Sequence, residues 1–190
     1  MKGAIFLRVI AGQAKGTKLK TLKGLDTRPT SDRVKEALFS ILAPSIESGK
    51  VLDLFSGTGN LGIEAISRGA SFAYLVEKNR KCFNIIKENV IKTKLNDKIK
   101  IIIKDVFMAI REFGEKGENF DIIFMDPPYL KGFIIPCLEE ICNNNILKEE
   151  GIIAVEHDVK DVLPDRVEAL IKVKERKYGK TIISFYSKEA

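Results

Sequence analysis

The apolar run Ile122-Ile123-Phe124-Met125 ends in Asp126-Pro127-Pro128-Tyr129. An unbroken apolar run of this length reads as a strand buried on both faces, and here it delivers a carboxylate to its end. Two successive prolines lack N–H donors and stop both strand and helix. Their carbonyls stay outside any ladder and accept hydrogen bonds beside the carboxylate and the tyrosine ring. Acid, carbonyls and ring together make a receptor for a planar group that bears an NH2. Asp-Pro-Pro taken alone also serves simply to end a strand, so the rest of the chain must decide.

A second group with chemical meaning is Gly57-Thr58-Gly59-Asn60-Leu61-Gly62, a G-x-G-x-x-G pattern. It follows an apolar stretch and opens an amphipathic one, which is the strand-loop-helix context the pattern requires. Glycines let a ligand lie against backbone, and a helix N-terminus favours an anionic group. Glu77 stands twenty residues after Gly57, where a carboxylate at the end of the next strand holds ribose hydroxyls. Both a dinucleotide and S-adenosylmethionine satisfy this much. Asp53 lies in the strand before the loop, where it would repel a pyrophosphate but attract an ammonium. Asp105, at the end of a third strand, is placed to receive an adenine amino group. These charges favour S-adenosylmethionine over a nicotinamide or flavin cofactor. With Phe55, Ser56 and Thr58 around the loop, Lys78 and Val106 beside the two later carboxylates, and Asp126 at the end of the tetrapeptide's strand, they form the candidate cofactor set.

The elements that must position these residues follow from periodicity. Apolar strands are expected at 50–55, 72–77, 99–104, 121–125 and 151–156. Helices with one apolar side alternate with them, after Gly59 and at 79–92, 106–113 and 133–142. Buried strands alternating with amphipathic helices argue for a parallel sheet covered on both faces. Residues 169–177 and 181–187 flank Tyr178-Gly179-Lys180 and read as a terminal antiparallel hairpin. Ahead of this body, 7–11 and 17–22 form a hairpin around Gly12-Gln13-Ala14-Lys15-Gly16. A helix follows, capped by Thr30 or Ser31 and ending by Pro44, with Val34, Ala37, Leu38, Ile41 and Leu42 on one face. The expected division is a basic hairpin arm over 1–30 and the main domain over 31–190.

The chain has 190 residues, enough to bury a full core. No run approaches the roughly 18 apolar residues of a membrane span, and Arg8 interrupts the only apolar stretch near the start, so the expected location is the cytoplasm. Cys82, Cys137 and Cys142 have no metal-ligand spacing with His157 and are expected as reduced thiols, with no metal site. Net charge is +6, and residues 1–35 carry nine Lys or Arg against two Asp, so the remaining 155 residues sum to −1. A basic arm on a neutral body points to a polyanionic partner, with Arg8, Lys15, Lys18, Lys20, Arg28 and Arg33 as the candidate contacts. His157 is expected as a loop residue near the pocket, and Phe133 as a helix-start core contact, with packing of the loop over the site as its alternative. Glu36 is expected on an exposed helix face.

The chain resembles class I methyltransferases and, within them, the RsmD-like 16S ribosomal RNA guanine-N2 methyltransferases. The likeness rests on Arg8-Val9-Ile10-Ala11-Gly12-Gln13, on the stretch from Arg28-Pro29-Thr30-Ser31 through Asp32-Arg33-Val34-Lys35-Glu36-Ala37-Leu38-Phe39, on Leu52-Asp53-Leu54-Phe55-Ser56-Gly57-Thr58-Gly59, and on Asp126-Pro127-Pro128-Tyr129. The last two are shared by many amino-methyltransferases; the first two are more specific. The resemblance implies a Rossmann-like, seven-stranded, mostly parallel sheet with an antiparallel last strand. It implies Asp53, Gly57 and Gly59 around a methionine moiety, Glu77 on a ribose and Asp105 near an adenine. Asp126, Pro127, Pro128 and Tyr129 become the catalytic set. The implied partner is 16S ribosomal RNA or a small-subunit assembly intermediate, met by a monomer. Where this chain has Tyr129 the family often has Phe, and both rings stack. Methylation of a DNA adenine or cytosine amine, and a noncatalytic RNA-binding protein on the same fold, are the alternatives.

Overall fold

The computed structural model describes residues 7–21 and 32–189. Arg28 and the expected Thr30 or Ser31 helix cap lie outside the described residues. The main body runs α1 (Asp32–Ile46), β1 (Lys50–Asp53), α2 (Asn60–Ser67), β2 (Phe72–Glu77), α3 (Arg80–Thr93), β3 (Ile99–Ile103), α4 (Val106–Glu115), β4 (Phe120–Met125), α5 (Ile134–Asn143), β5 (Leu147–Asp158), β6 (Arg166–Val167), β7 (Leu170–Tyr178) and β8 (Thr181–Lys188). Among the described residues one sheet holds all the strands, in the order β3-β2-β1-β4-β5-β8-β7-β6. The first five are parallel, and β8, β7 and β6 follow in antiparallel pairings.

The sheet has eight strands rather than the expected seven. The added one, β6, is two residues that turn back through Glu168, at φ 51°, to pair with Leu170 and Ile171. Two residues carry no periodicity, so no pattern in the sequence marks them. The expected terminal hairpin is present as β7 and β8 around Gly179.

Successive strand residues face opposite sides of the sheet, and the core divides accordingly. Val51, Leu75, Ile122 and Phe124 pack under α1, α2 and α3, together with Leu7, Val9, Ala14 and Leu19 of the arm. Leu52, Val76, Ile123 and Met125 pack under α4 and α5. This two-sided burial is why the strands read as continuous apolar runs.

Three local expectations are corrected. Helix α1 continues through Pro44 to Ile46; proline this close to a helix end interrupts few backbone bonds. The described part of the arm is a hairpin, closed by the Val9 and Leu19 amides on the Thr17 and Leu7 carbonyls, but its pairing is one antiparallel bridge, Arg8 with Lys18, and not two regular strands. His157 is not in a loop. Strand β5 runs past Glu156 because β8 pairs it there, His157 opposite Ile182. The imidazole is buried, with Nε2 2.9 Å from Ser184 Oγ. Burial holds its pKa below the usual histidine value. Cys82, Cys137 and Cys142 are free thiols, the first two buried. Among the described residues no helix is long and apolar enough to cross a membrane.

Candidate active site

From β1 the chain connects to β2 and β3 on one side, while β4 and β5 lie on the other, so the sheet order reverses between β1 and β4. In open α/β sheets ligands bind outside the carboxyl ends of the strands at such a switch point. Here the residues at those ends are acidic: Asp53 ends β1, Glu77 ends β2, Asp105 follows β3, Asp126 follows β4 and Glu156 lies near the end of β5.

Asp53 is almost wholly buried, at 1% exposure. Its Oδ2 accepts from the Gly62 amide at 3.2 Å, while Oδ1 is the one buried side-chain oxygen or nitrogen among the described residues without a hydrogen-bond partner. Burial, with a smaller contribution from the Glu77 charge, raises its pKa to about 7 against the pull of the Gly62 amide. An unpaired carboxylate oxygen in a dry site costs free energy unless a donor or cation reaches it. Ser56 Oγ donates to the Asp53 carbonyl at 2.9 Å and holds the turn that leaves the strand.

The glycine loop is built for close approach. Gly59 has φ 81°, and a Cβ there would stand 3.1 Å from side-chain atoms of Ile63, Leu75 and Ile86. Gly57, at φ 54°, faces open space: a Cβ would meet nothing nearer than the Phe55 carbonyl, at 4.0 Å. The Gly57 amide donates to Glu77 Oε2 at 3.0 Å, and Glu77 Oε1 accepts from the Asn79 amide at 2.7 Å. Glu77 therefore ties the loop to the start of α3. The Asp105 side chain caps α4 by accepting from the Phe107 amide at 3.0 Å, and Val106 is buried beside it. The Asn79 side chain caps α3 in the same way.

Phe55 stands edge-on to Phe133 at 5.9 Å between ring centroids, Phe107 stacks on Phe133 at 6.5 Å, and Lys78 Nζ lies 5.5 Å over the Phe133 ring. Phe133 is thus part of an aromatic wall between the glycine loop, α4 and the tetrapeptide, beyond the plain core contact expected for it.

At the tetrapeptide, Pro127 is buried and Pro128 exposed. The Tyr129 hydroxyl donates to Glu156 Oε1 at 3.0 Å. Burial first, then the charges of Glu156 and Asp53, push the Asp126 pKa well above its ordinary value. Pro127, Pro128 and Tyr129 line a cleft of about 280 Å³ whose other walls include Phe133, Val162 and Leu163. The sequence reading passed over Glu156 and Phe107. Glu156 was findable: like Glu77, it ends an apolar run, Ile152-Ile153-Ala154-Val155.

This set of carboxylate acceptors fits a cationic ligand with a ribose and an adenine. Asp53 Oδ1 lacks a partner, Gly57 faces open space, and the carboxylates of Glu77 and Asp105 stand at the ends of the next two strands. Among the proposed polyanion contacts, Lys15, Lys18 and Arg33 are exposed, Arg8 pairs with Asp32 at 3.0 Å, and Lys20 pairs with Glu88. Both pairs are solvated, and such pairs contribute little to stability.

The switch-point crevice, the glycine loop and the five-stranded parallel core with its antiparallel hairpin define a class I methyltransferase fold. The family model described as conserved hypothetical protein 95 matches residues 7–187. The putative ribosomal RNA methyltransferase YlbH of Bacillus subtilis is 36% identical over 182 residues, covering 96% of this chain and 99% of that protein. The ribosomal RNA small subunit methyltransferase D of Escherichia coli is 33% identical, covering 97% of this chain and 91% of that protein. A solved structure described as the putative methyltransferase yhhF from Escherichia coli superposes with a TM-score of 0.85 at 34% identity, covering 96% of this chain and 98% of that one. The chain belongs to the conserved hypothetical protein 95 family, the RsmD-like family that its sequence resembles.

Proposed function

We propose that the protein transfers a methyl group from S-adenosylmethionine to the exocyclic N2 amine of a guanine in 16S ribosomal RNA, free or in a small-subunit assembly intermediate. The observation that carries this reading is the meeting of Asp53, with its unpartnered oxygen, and the Asp126-Pro127-Pro128-Tyr129 end of the adjacent strand. Family membership supports the ribosomal RNA, because relatives of this length are named for it. The guanine N2 target rests on the resemblance, and the expected setting is a cytoplasmic monomer.

In this reading the Asp53 carboxylate receives the ammonium of the methionine moiety, Glu77 the ribose hydroxyls and Asp105 the adenine amine, with Phe55, Ser56, Thr58, Lys78 and Val106 lining the site. S-Adenosylmethionine supplies the electrophilic methyl. A base amine is a poor nucleophile because its lone pair is delocalised into the ring. Acceptors aimed at its two N–H groups, the Asp126 carboxylate and the Pro127 carbonyl, favour the localised and increasingly positive nitrogen of the transition state. As the N–C bond forms and the C–S bond breaks, the amine proton passes to Asp126, whose raised proton affinity suits it to the task. Tyr129 stacks on the base, a contact worth roughly 1 to 3 kcal/mol. A paired guanine engages this amine, so the target is met unpaired or extruded. In this reading the arm residues Arg8, Lys15, Lys18, Lys20 and Arg28, with Arg33 from the first turn of α1, grip the RNA backbone, and the domain over 31–190 performs the chemistry.

Incubation with methyl-labelled S-adenosylmethionine and either 16S RNA or DNA tests the proposal. Label in a guanine of the RNA is the expected result; label in DNA alone would overturn it. Asp126→Ala should retain cofactor binding and lose most transfer.

A further inference from the structure

Backbone hydrogen bonds close the described part of the arm on itself, with the Val9 amide on the Thr17 carbonyl at 3.0 Å and the Leu19 amide on the Leu7 carbonyl at 2.8 Å, and the side chains that fasten its backbone to the body also hold the glycine loop. Asn89 of α3 is fully buried. Its Oδ1 accepts from the Lys20 amide at 2.7 Å, and its Nδ2 donates to the Lys20 carbonyl at 3.1 Å and to the Thr58 carbonyl at 2.9 Å. Both amide hydrogens are used, and only one orientation of the side chain satisfies all three partners. One residue past Gly59, Asn60 Oδ1 accepts from Lys35 Nζ at 2.7 Å, and the same ammonium donates to the Arg8 carbonyl at 2.6 Å. Glu64, 3.2 Å from Lys35, accepts from the Ile10 and Ala11 amides at 2.8 and 3.0 Å. The residues on either side of Gly59 are thus each fastened by a side chain that also fastens arm backbone.

We infer that Asn89 is a positioning residue that makes docking of the arm and setting of the Gly57–Gly59 loop one event, so that cofactor and RNA bind with positive coupling. The inference rests on the proposed function, in which the loop cradles the cofactor and the arm grips RNA. An undocked arm would leave buried donors and acceptors on Asn89, Lys35 and Glu64 without partners, and in a dry interior that is costly. Whatever fixes the loop therefore disfavours the undocked arm, and whatever fixes the arm favours the set loop. Such linkage is reciprocal by thermodynamic necessity.

Hydrogen exchange on the full-length protein reads this without catalysis. S-Adenosylhomocysteine alone should slow exchange at the Lys20 amide and its neighbours in the arm. A 16S RNA fragment alone should slow exchange over residues 57–60. Calorimetry should show S-adenosylhomocysteine binding about fivefold or more tightly when RNA is present. In Asn89→Ala that ratio should fall to near one. Asn89→Asp keeps the acceptor for the Lys20 amide but donates to neither carbonyl, and should behave like Asn89→Ala. Cofactor binding that leaves arm exchange unchanged overturns the inference, as does a folded Asn89→Ala that keeps the wild-type ratio. If the alanine variant fails to fold, the wild-type exchange measurement still decides. A protein that binds S-adenosylhomocysteine but neither binds nor methylates RNA would sink the proposed function, while arm protection by cofactor alone would still test the coupling.

Discussion

The Tyr129 hydroxyl donates to Glu156 Oε1 at 3.0 Å, so the ring proposed to stack on the target base is anchored by a strand-end carboxylate. A hydrogen bond to a charged group contributes about 1.5 to 3 kcal/mol. Tyr129→Phe keeps the ring and loses the anchor, and kcat/KM for RNA should fall roughly tenfold or more. Cofactor affinity, measured by calorimetry, should not change.

The same carboxylate acts on Asp126. Its charge, after burial, is the larger of the two charges that raise the Asp126 pKa. Glu156→Gln keeps an acceptor for Tyr129 and removes that charge, so Asp126 should ionise at lower pH. The acidic limb of kcat against pH should move down in this variant. A limb that stays in place would mean that Asp126 does not set it.

Asp53 should trade stability for binding. Its pKa rises from 3.8 to about 7 on folding, so between those values the folded state holds a proton that the unfolded state has lost. Stability therefore falls as pH rises through this window, by up to on the order of 4 kcal/mol from this group. In urea unfolding, Asp53→Asn should gain on the wild type at pH 8 and much less at pH 4. The same variant should lose S-adenosylhomocysteine binding. In the wild type, affinity should weaken about tenfold for each pH unit below 7 as the carboxylate that receives the ammonium becomes protonated.

The two glycines of the loop should separate stability from binding. Gly59→Ala meets three side chains at 3.1 Å and keeps φ 81°; overpacking of this kind costs about 1 to 3 kcal/mol, added to the left-handed backbone penalty. Gly57→Ala meets open space and should cost about 1 to 2 kcal/mol from its φ alone. Its methyl group enters the proposed cradle, so its cofactor affinity should drop by more than its stability suggests. Unfolding curves and calorimetry on both variants check the contrast.

Much of this architecture was legible because it rests on repeating physical signals. The parallel strands are buried on both faces, and β2 starts at Phe72 and ends at Glu77 as the apolar run indicates. Asp53 and Asp126 were visible because a charge at the end of an apolar run needs a reason. What stayed hidden depends on pairing at a distance. Strand β6 exists only because Leu170 and Ile171 lie opposite it, and His157 is a strand residue only because β8 reaches it. Lys35 sits next to the apolar face of α1 in the helical pattern, and nothing in that pattern says that a lysine there is fully buried. Its partners come from Arg8, Asn60 and Glu64, which no local window contains.

That buried lysine has a measurable signature. Lys35 and Glu64 have no exposed side-chain surface. Burial lowers the Lys35 pKa and the Glu64 charge opposes the shift. Removing one partner of such a pair typically costs about 3 to 5 kcal/mol, because the other charge is left buried. Glu64 retains Arg68 Nε at 2.7 Å and the Ile10 and Ala11 amides, so Lys35→Met should fall near the lower end of that range in urea unfolding. Glu64→Gln should also destabilise, since it leaves the Lys35 ammonium without its counter-charge. The double variant should cost clearly less than the two single variants added together, because each substitution removes the stranded charge that made the other expensive. Additive costs would show that Arg68 and the arm amides already neutralise Glu64, and that Lys35 acts through the Arg8 carbonyl and Asn60 alone.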